Sequence, residues 1–154
     1  MTKVAFVLCG TPGSGKSTWF KNQNFPANQT VRVSMDDIRE ELTGDVTDQS
    51  KNAEVAIEAK SRWEKALVSG VPIVVWDATN TRRKYRKPLI TVAKDNGYET
   101  VCVWFDLPLE VAKKRNAGRD RVVPEHVLER MYNSLQQIPP SRDEGFDIIQ
   151  RIGR

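Results

Sequence analysis

The sequence predicts an α/β fold, a mostly parallel sheet flanked by helices, and three observations predict it. Short apolar runs alternate along the chain with helix-length segments. The runs at Val4–Cys9 and Val71–Trp76 are almost unbroken, as expected of strands covered on both faces. A glycine-rich turn joins the first run directly to a helical stretch.

The elements follow in order. Val4 to Cys9 is the first strand; it is too short for a secretory leader, and the glycine turn takes over at once. A helix is expected from about Lys16 to Gln23, broken by Asn24–Asn28 with Pro26. Thr30–Ser34 reads as a second strand and Asp36 to Leu42 as a helix. Asp48 can cap a longer helix reaching Ser69, ended by Gly70. After the strand Val71–Trp76, Arg82 to Asn96 reads as a basic helix stopped by Gly97. Glu99–Phe105 is a fourth strand, and Leu109–Asn116 is helical. Pro124 suits the first turn of another helix, which reaches about Gln137. Pro139-Pro140 is a linker, and Phe146–Arg151 is a last strand.

The length, 154 residues, predicts one domain over 1–154. A chain of that size buries roughly 68–70% of its unfolded surface, enough for a real core. No apolar run approaches the roughly 20 residues of a membrane helix. Cys9 and Cys102 sit in apolar runs and read as buried thiols, without the spacing of a zinc site or a disulfide framework. That usage fits a reducing, cytoplasmic location. Net charge is +4, mildly basic, and its distribution says more. Residues 82–87 read Arg-Arg-Lys-Tyr-Arg-Lys, and residues 113–121 carry Lys113, Lys114, Arg115, Arg119 and Arg121. A single charge run is ordinarily a solvated helix face. Two of them beside a phosphate motif favour a polyanionic ligand.

That motif is Gly10-Thr11-Pro12-Gly13-Ser14-Gly15-Lys16-Ser17, a match to G-x-x-x-x-G-K-[ST] placed between a buried strand and a helix. It refines the fold class to the P-loop NTPase type. Glycines let backbone N–H groups turn toward phosphate oxygens, and the helix start adds partial positive charge. The expected nucleotide-binding set is Gly10, Pro12, Gly13, Ser14, Gly15, Lys16, Ser17 and Thr18. Lys16 reaches the β- and γ-phosphates of ATP, and Ser17 ligates Mg²⁺. No N-K-x-D base-reading motif of GTPases is present.

Ser34-Met35-Asp36-Asp37-Ile38-Arg39 places carboxylates at a strand end, where open α/β sheets bind ligands. Asp36 and Arg39 share one helical face. The carboxylate can take the proton of an attacking hydroxyl, and the arginine can hold an acceptor phosphate. The bland alternative is a helix cap with a local ion pair, to which Asp37 also belongs. Asp77 ends an apolar strand in the manner of a Walker B acid, or simply as a strand-end cap. Thr79 and Asn80 follow in the same turn, where they can bind substrate or tie the loop. Arg115 and Arg119 flank Gly118 between two helices, in a lid region of about 115–137. Such arginines can close over ATP, with Arg119 as the catalytic choice. His126 reads as an exposed histidine, and Trp76 as packing or a base-stacking surface.

The sets at 10–19, Asp-Asp-Ile-Arg at 36–39, Asp-Ala-Thr-Asn at 77–80, Lys-Arg-Asn-x-x-Arg at 114–119 and Val-Pro at 123–124 together resemble the 5′-polynucleotide kinase family. Within it the chain looks most like the kinase domain of phage-type polynucleotide kinase-phosphatases, up to about Gln137. The resemblance implies ATP-dependent phosphorylation of the 5′-hydroxyl ends of DNA or RNA, in nucleic-acid repair. It implies Asp36 as general base, Arg39 on the acceptor's neighbouring phosphate and Arg119 on the donor phosphates. The acceptor would enter by a tunnel across the sheet from ATP. The phosphatase motif D-x-D-G-T is absent, so 3′-phosphatase activity is not expected. Two alternatives stand beside this reading: a kinase of a sugar or nucleotide sugar on the same fold, and a nucleotide-dependent binding module without catalysis.

Overall fold

The computed structural model of the protein describes residues 2–119 and 122–153. Five strands form one sheet in the order β2-β3-β1-β4-β5. They are β1 Val4–Cys9, β2 Thr30–Ser34, β3 Ile73–Asp77, β4 Glu99–Phe105 and β5 Ile148–Ile152, and every pair is parallel. Helices α1 Lys16–Gln23, α2 Met35–Thr43, α3 Asn52–Ser69, α4 Arg83–Asp95, α5 Leu109–Ala117 and α6 Glu125–Gln137 connect and cover them. This is the α/β architecture the sequence predicts.

Period-two alternation sends β1 side chains to two separate cores. Ala5, Val7 and Cys9 pack with Trp63, Trp76, Leu89 and Ile90 beneath α3 and α4. Leu8 and Phe6 pack on the other face with Trp19 of α1, Val103 and Phe105. That two-sided burial is why the run Val4–Cys9 carries no polar residue. Cys9 and Cys102 are free and buried, with sulfurs 3.5 Å apart on adjacent strands.

Boundaries depart from expectation where side chains compete with the helix. Asp48 does not cap α3. Its carboxylate accepts the Ser50 N–H at 2.8 Å, as Asp45 accepts that of Thr47, and these turns delay the helix to Asn52. Strand β3 starts at Ile73, since Pro72 has no N–H to give a ladder. The last strand is shifted to 148–152, leaving Phe146 in the core.

The basic stretch 82–87 does not all face solvent. Arg86 is fully buried, in a two-pronged pair with Glu144 at 2.8 and 3.2 Å, and donates to the Asn80 carbonyl at 3.0 Å. It therefore pins α4 to the loop after β3 and to the chain before β5. Arg82, Arg83, Lys84 and Lys87 remain exposed. Because the strands are parallel, the ends of β1, β2 and β3 lie along one edge, with Ser34 in register with Asp77.

Candidate active site

The chain leaves β1 at Cys9 and turns through the glycine loop into α1. Gly13 and Gly15 have φ of 76° and 104°, open to glycine at little cost. The loop is closely covered. A Cβ on Gly13 would lie 3.1 Å from Arg119 Cδ, and one on Gly15 would lie 3.6 Å from Arg115 Nη1. Gly10 has a different task from the one expected. Its N–H donates to the Thr79 carbonyl at 3.0 Å, so it locks the loop to the turn after β3.

Lys16 folds back over the loop, with Nζ donating to the carbonyls of Thr11 at 2.8 Å and Gly10 at 3.1 Å. Desolvation lowers its pKa to about 8; the Asp77 carboxylate works against that, Arg119 adds to it and Asp36 opposes it again. A desolvated ammonium beside inward-turned glycines suits a polyphosphate, which would return the lost solvation as charge-assisted contacts. Ser17 is exposed on the first turn of α1, and Thr18 and Pro12 line the same space.

At the other end, the Ser34 hydroxyl caps α2 by accepting the Asp37 N–H at 3.3 Å. The cap places Asp36 in the first turn, where the helix N-terminus favours a carboxylate. Arg39 donates through Nη1 to Asp36 at 2.9 Å and through Nε to Asn52 at 3.2 Å. These two partners fix the plane of the guanidinium on a residue that is only 7% exposed.

Asp77 is engaged by Arg32, which approaches through both Nε and Nη2 and also lies over the Phe20 ring at 4.8 Å. Asn80 has φ of 48° and is buried. Its amide donates to the Leu8 carbonyl at 2.7 Å and accepts the Trp76 indole N–H at 2.9 Å. Of the two roles open to Asn80, this geometry favours tying the loop over touching substrate. Trp76 is likewise packing: it is buried and stands edge-to-face against Trp63. His126 is exposed.

Between α5 and α6 the Asn116 side chain clamps the lid loop. It donates to the Val123 carbonyl at 2.6 Å and accepts the Val123 N–H at 3.0 Å. Arg121 lies outside the described residues.

One cleft of about 1490 Å³ brings most of these groups together. Pro12 to Thr18, Asp36, Arg39, Asp77, Thr79, Arg115 and Arg119 line it, whereas Gly10 and Asn80 lie behind its wall. The cleft thus brings the cations Lys16, Arg115 and Arg119 into one space with the Asp36–Arg39 pair. Sequence reasoning missed Arg32, Asn116 and Glu144. Arg32 is the one charged residue of β2, flanked by Val31 and Val33, which is the one signal that could have marked it. The others are visible only once distant segments meet.

The relatives agree with this architecture. A mimivirus protein named as a bifunctional polynucleotide phosphatase/kinase (Acanthamoeba polyphaga mimivirus) is 29% identical over 157 residues, covering 97% of this chain and 33% of that protein. The L-seryl-tRNA(Sec) kinase of Methanococcus maripaludis is 28% identical, covering 86% of this chain and 52% of its own. Among solved structures, a chain of the Pnkp1/Rnl/Hen1 RNA repair complex superposes with a TM-score of 0.74 at 22% identity, covering 95% of this chain and 47% of that one. The chain therefore spans about a third to a half of the length of these curated relatives. The resemblance to polynucleotide kinases drawn from the sequence fits these matches, on a P-loop kinase fold. The AAA domain family model AAA_33 matches residues 6–138, and the chain belongs to that family.

Proposed function

We propose that this chain is an ATP-dependent kinase that phosphorylates the 5′-hydroxyl end of a polynucleotide. The observation that carries the reading is the shared cleft, which holds Lys16, Arg115 and Arg119 together with the Asp36–Arg39 pair. A binding module without catalysis needs no hydroxyl-activating carboxylate at that position.

In this reading the glycine loop and Lys16 hold the donor phosphates, and Arg115 braces them from α5. Asp36 accepts the proton of the attacking 5′-hydroxyl. Arg39 grips the phosphate on the 3′ side of the acceptor's first sugar. Thr79, which lines the same cleft, would contact the acceptor. Among the described residues no cluster of His, Cys, Asp or Glu forms a ready metal set. That suits Mg²⁺, which is held by few protein groups and arrives with substrate phosphates. Ser17 would hold the ion, whose charge offsets that of the β- and γ-phosphates.

The direct test is transfer from γ-labelled ATP to 5′-hydroxyl oligonucleotides beside a panel of sugars and nucleotide sugars. Label is expected on the oligonucleotides. Label on a sugar alone would replace this reading with a small-molecule kinase.

The lid gives a second expectation. Arg119→Ala should lower kcat on the order of 10²-fold, the scale of losing one preorganised donor, and weaken oligonucleotide binding far less. Steady-state kinetics and oligonucleotide titration separate the two effects. A collapse of acceptor binding with kcat preserved would move Arg119 to the acceptor site.

A further inference from the structure

Behind the main cleft lies a second cavity of about 670 Å³, the size of a small-ligand pocket. It opens between α3, the loop after β3, the first turns of α4, and α6. Met35, Ala78, Thr79 and Met131 line both spaces, so the two are continuous past the residue that precedes Asp36. Its walls are apolar, built on Trp63, Trp76, Pro88, Leu89 and Val92. Its charged lining is one-sided: Lys60, Arg82, Lys84 and Arg130 against Glu64. At the mouth Tyr85 is 57% exposed, with Lys84 Nζ 5.1 Å from its ring centroid. An aromatic ring this exposed, beside cations and over an apolar floor, is the arrangement that takes unpaired bases with their phosphates.

We infer that this annex holds the nucleotides that follow the reacting end of a single-stranded acceptor, stacking a base on Tyr85 and pairing the backbone with Arg82, Lys84 and Arg130. The inference rests on the polynucleotide reading of the main cleft and adds to it. The annex makes chain length and single-strandedness the determinants of acceptor choice. Charge complementarity favours a polyanion over a neutral sugar, and continuity with the cleft favours the same strand over an unrelated ligand. A fully paired end gains nothing, because its bases are already stacked on each other.

The test combines binding and turnover. The probes are a 3′-fluorescein-labelled, 5′-hydroxyl tetranucleotide, the same sequence in a blunt duplex, a nucleoside 3′-monophosphate, and a nucleotide sugar as competitor. The variants are Tyr85→Ala and Lys84→Ala, both at exposed positions whose loss leaves the core untouched. The tetranucleotide is expected to be the better acceptor. Each variant should weaken its anisotropy-measured binding roughly tenfold, on the scale of one lost stack, and leave kcat/KM for the nucleoside 3′-monophosphate unchanged. Lys84→Ala should also flatten the salt dependence of binding by about 0.7 in log–log slope, which a purely structural role would not do.

Equal use of tetranucleotide and monophosphate, with variants that bind as the parent does, would overturn the annex and leave the kinase reading standing. Tyr85-dependent binding without any transfer would keep the annex and overturn the kinase reading. Duplex binding as tight as single-strand binding would refute stacking. Displacement of the tetranucleotide by the nucleotide sugar would reassign the annex to a small ligand, and no binding of either nucleic acid would overturn both readings.

Discussion

Lys16→Ala is expected to abolish phosphoryl transfer, with a loss of roughly 10³-fold or more, while the protein stays folded. The loop's shape comes from its glycines and from the Gly10–Thr79 bond, not from the lysine. The ammonium contributes charge where phosphate negative charge gathers, in a site sheltered from water, and such groups carry the largest single share of catalysis. Circular dichroism should be unchanged, and near-normal turnover in the folded variant would sink the assignment of the loop. The unmodified protein offers a companion measurement. Because the free protein holds the Lys16 pKa at about 8, its ammonium is lost as pH rises through that value. The kcat/KM for ATP reports ionisations of the free enzyme, so it should fall above about pH 8. The ordinary lysine range, near 10.5, would place that limb far higher. A profile flat to pH 10 would mean that Lys16 does not meet the donor phosphates.

The second large effect separates a polynucleotide acceptor from every rival. A 5′-hydroxyl end carries a phosphate on the 3′ side of its first sugar; a nucleoside or free sugar does not. Arg39 is braced by Asp36 and Asn52, so its fork is oriented before the acceptor arrives. A nucleoside 3′-monophosphate should therefore be a good acceptor and the bare nucleoside a poor one. Arg39→Ala should cost the phosphorylated acceptor about 10- to 100-fold, the scale of a charge-assisted hydrogen bond, and the nucleoside little. Lysine at 39 should rescue in part, since it lacks the planar fork. Asp36→Asn should cost both acceptors about 10²–10⁴-fold, the usual contribution of a positioned base. The measurement is kcat/KM for both acceptors across the variants. Equal use of the two by the unmodified enzyme would refute the acceptor assignment.

The fold was legible because its signals are local and agree with one another. Strand β4, helix α1 and strand β2 each follow from a run of residues and the breaker beside it. The donor end of the site was legible for the same reason: seven consecutive residues, Pro12 to Thr18, line it. The acceptor end was half legible, since Asp36 and Arg39 lie three apart on one helix, but their brace at Asn52 belongs to another. What escaped was everything decided by burial. Arg86 looks like its basic neighbours in sequence, yet it faces inward because α4 turns one residue in every three or four to the core. Asn80 looks like a ligand-binding amide, yet two strands need it where they end. The annex around Tyr85 draws on several separate elements, and no spacing rule joins them.

The strand order also dictates when the nucleotide loop can exist during synthesis. Of the five strands β1 is made before the others, but it sits at the centre of the sheet, with Val4 waiting for Ile73 on one side and Glu99 on the other. Contacts between such distant residues form only after the intervening chain has closed on itself. Until β4 is made, β1 lacks its partner on one side of the sheet, and strands with an unpaired apolar edge invite aggregation. The loop that follows β1 is thus made ahead of the strands that hold it in shape, and nascent fragments ending before Phe105 should depend on chaperones to stay dispersed.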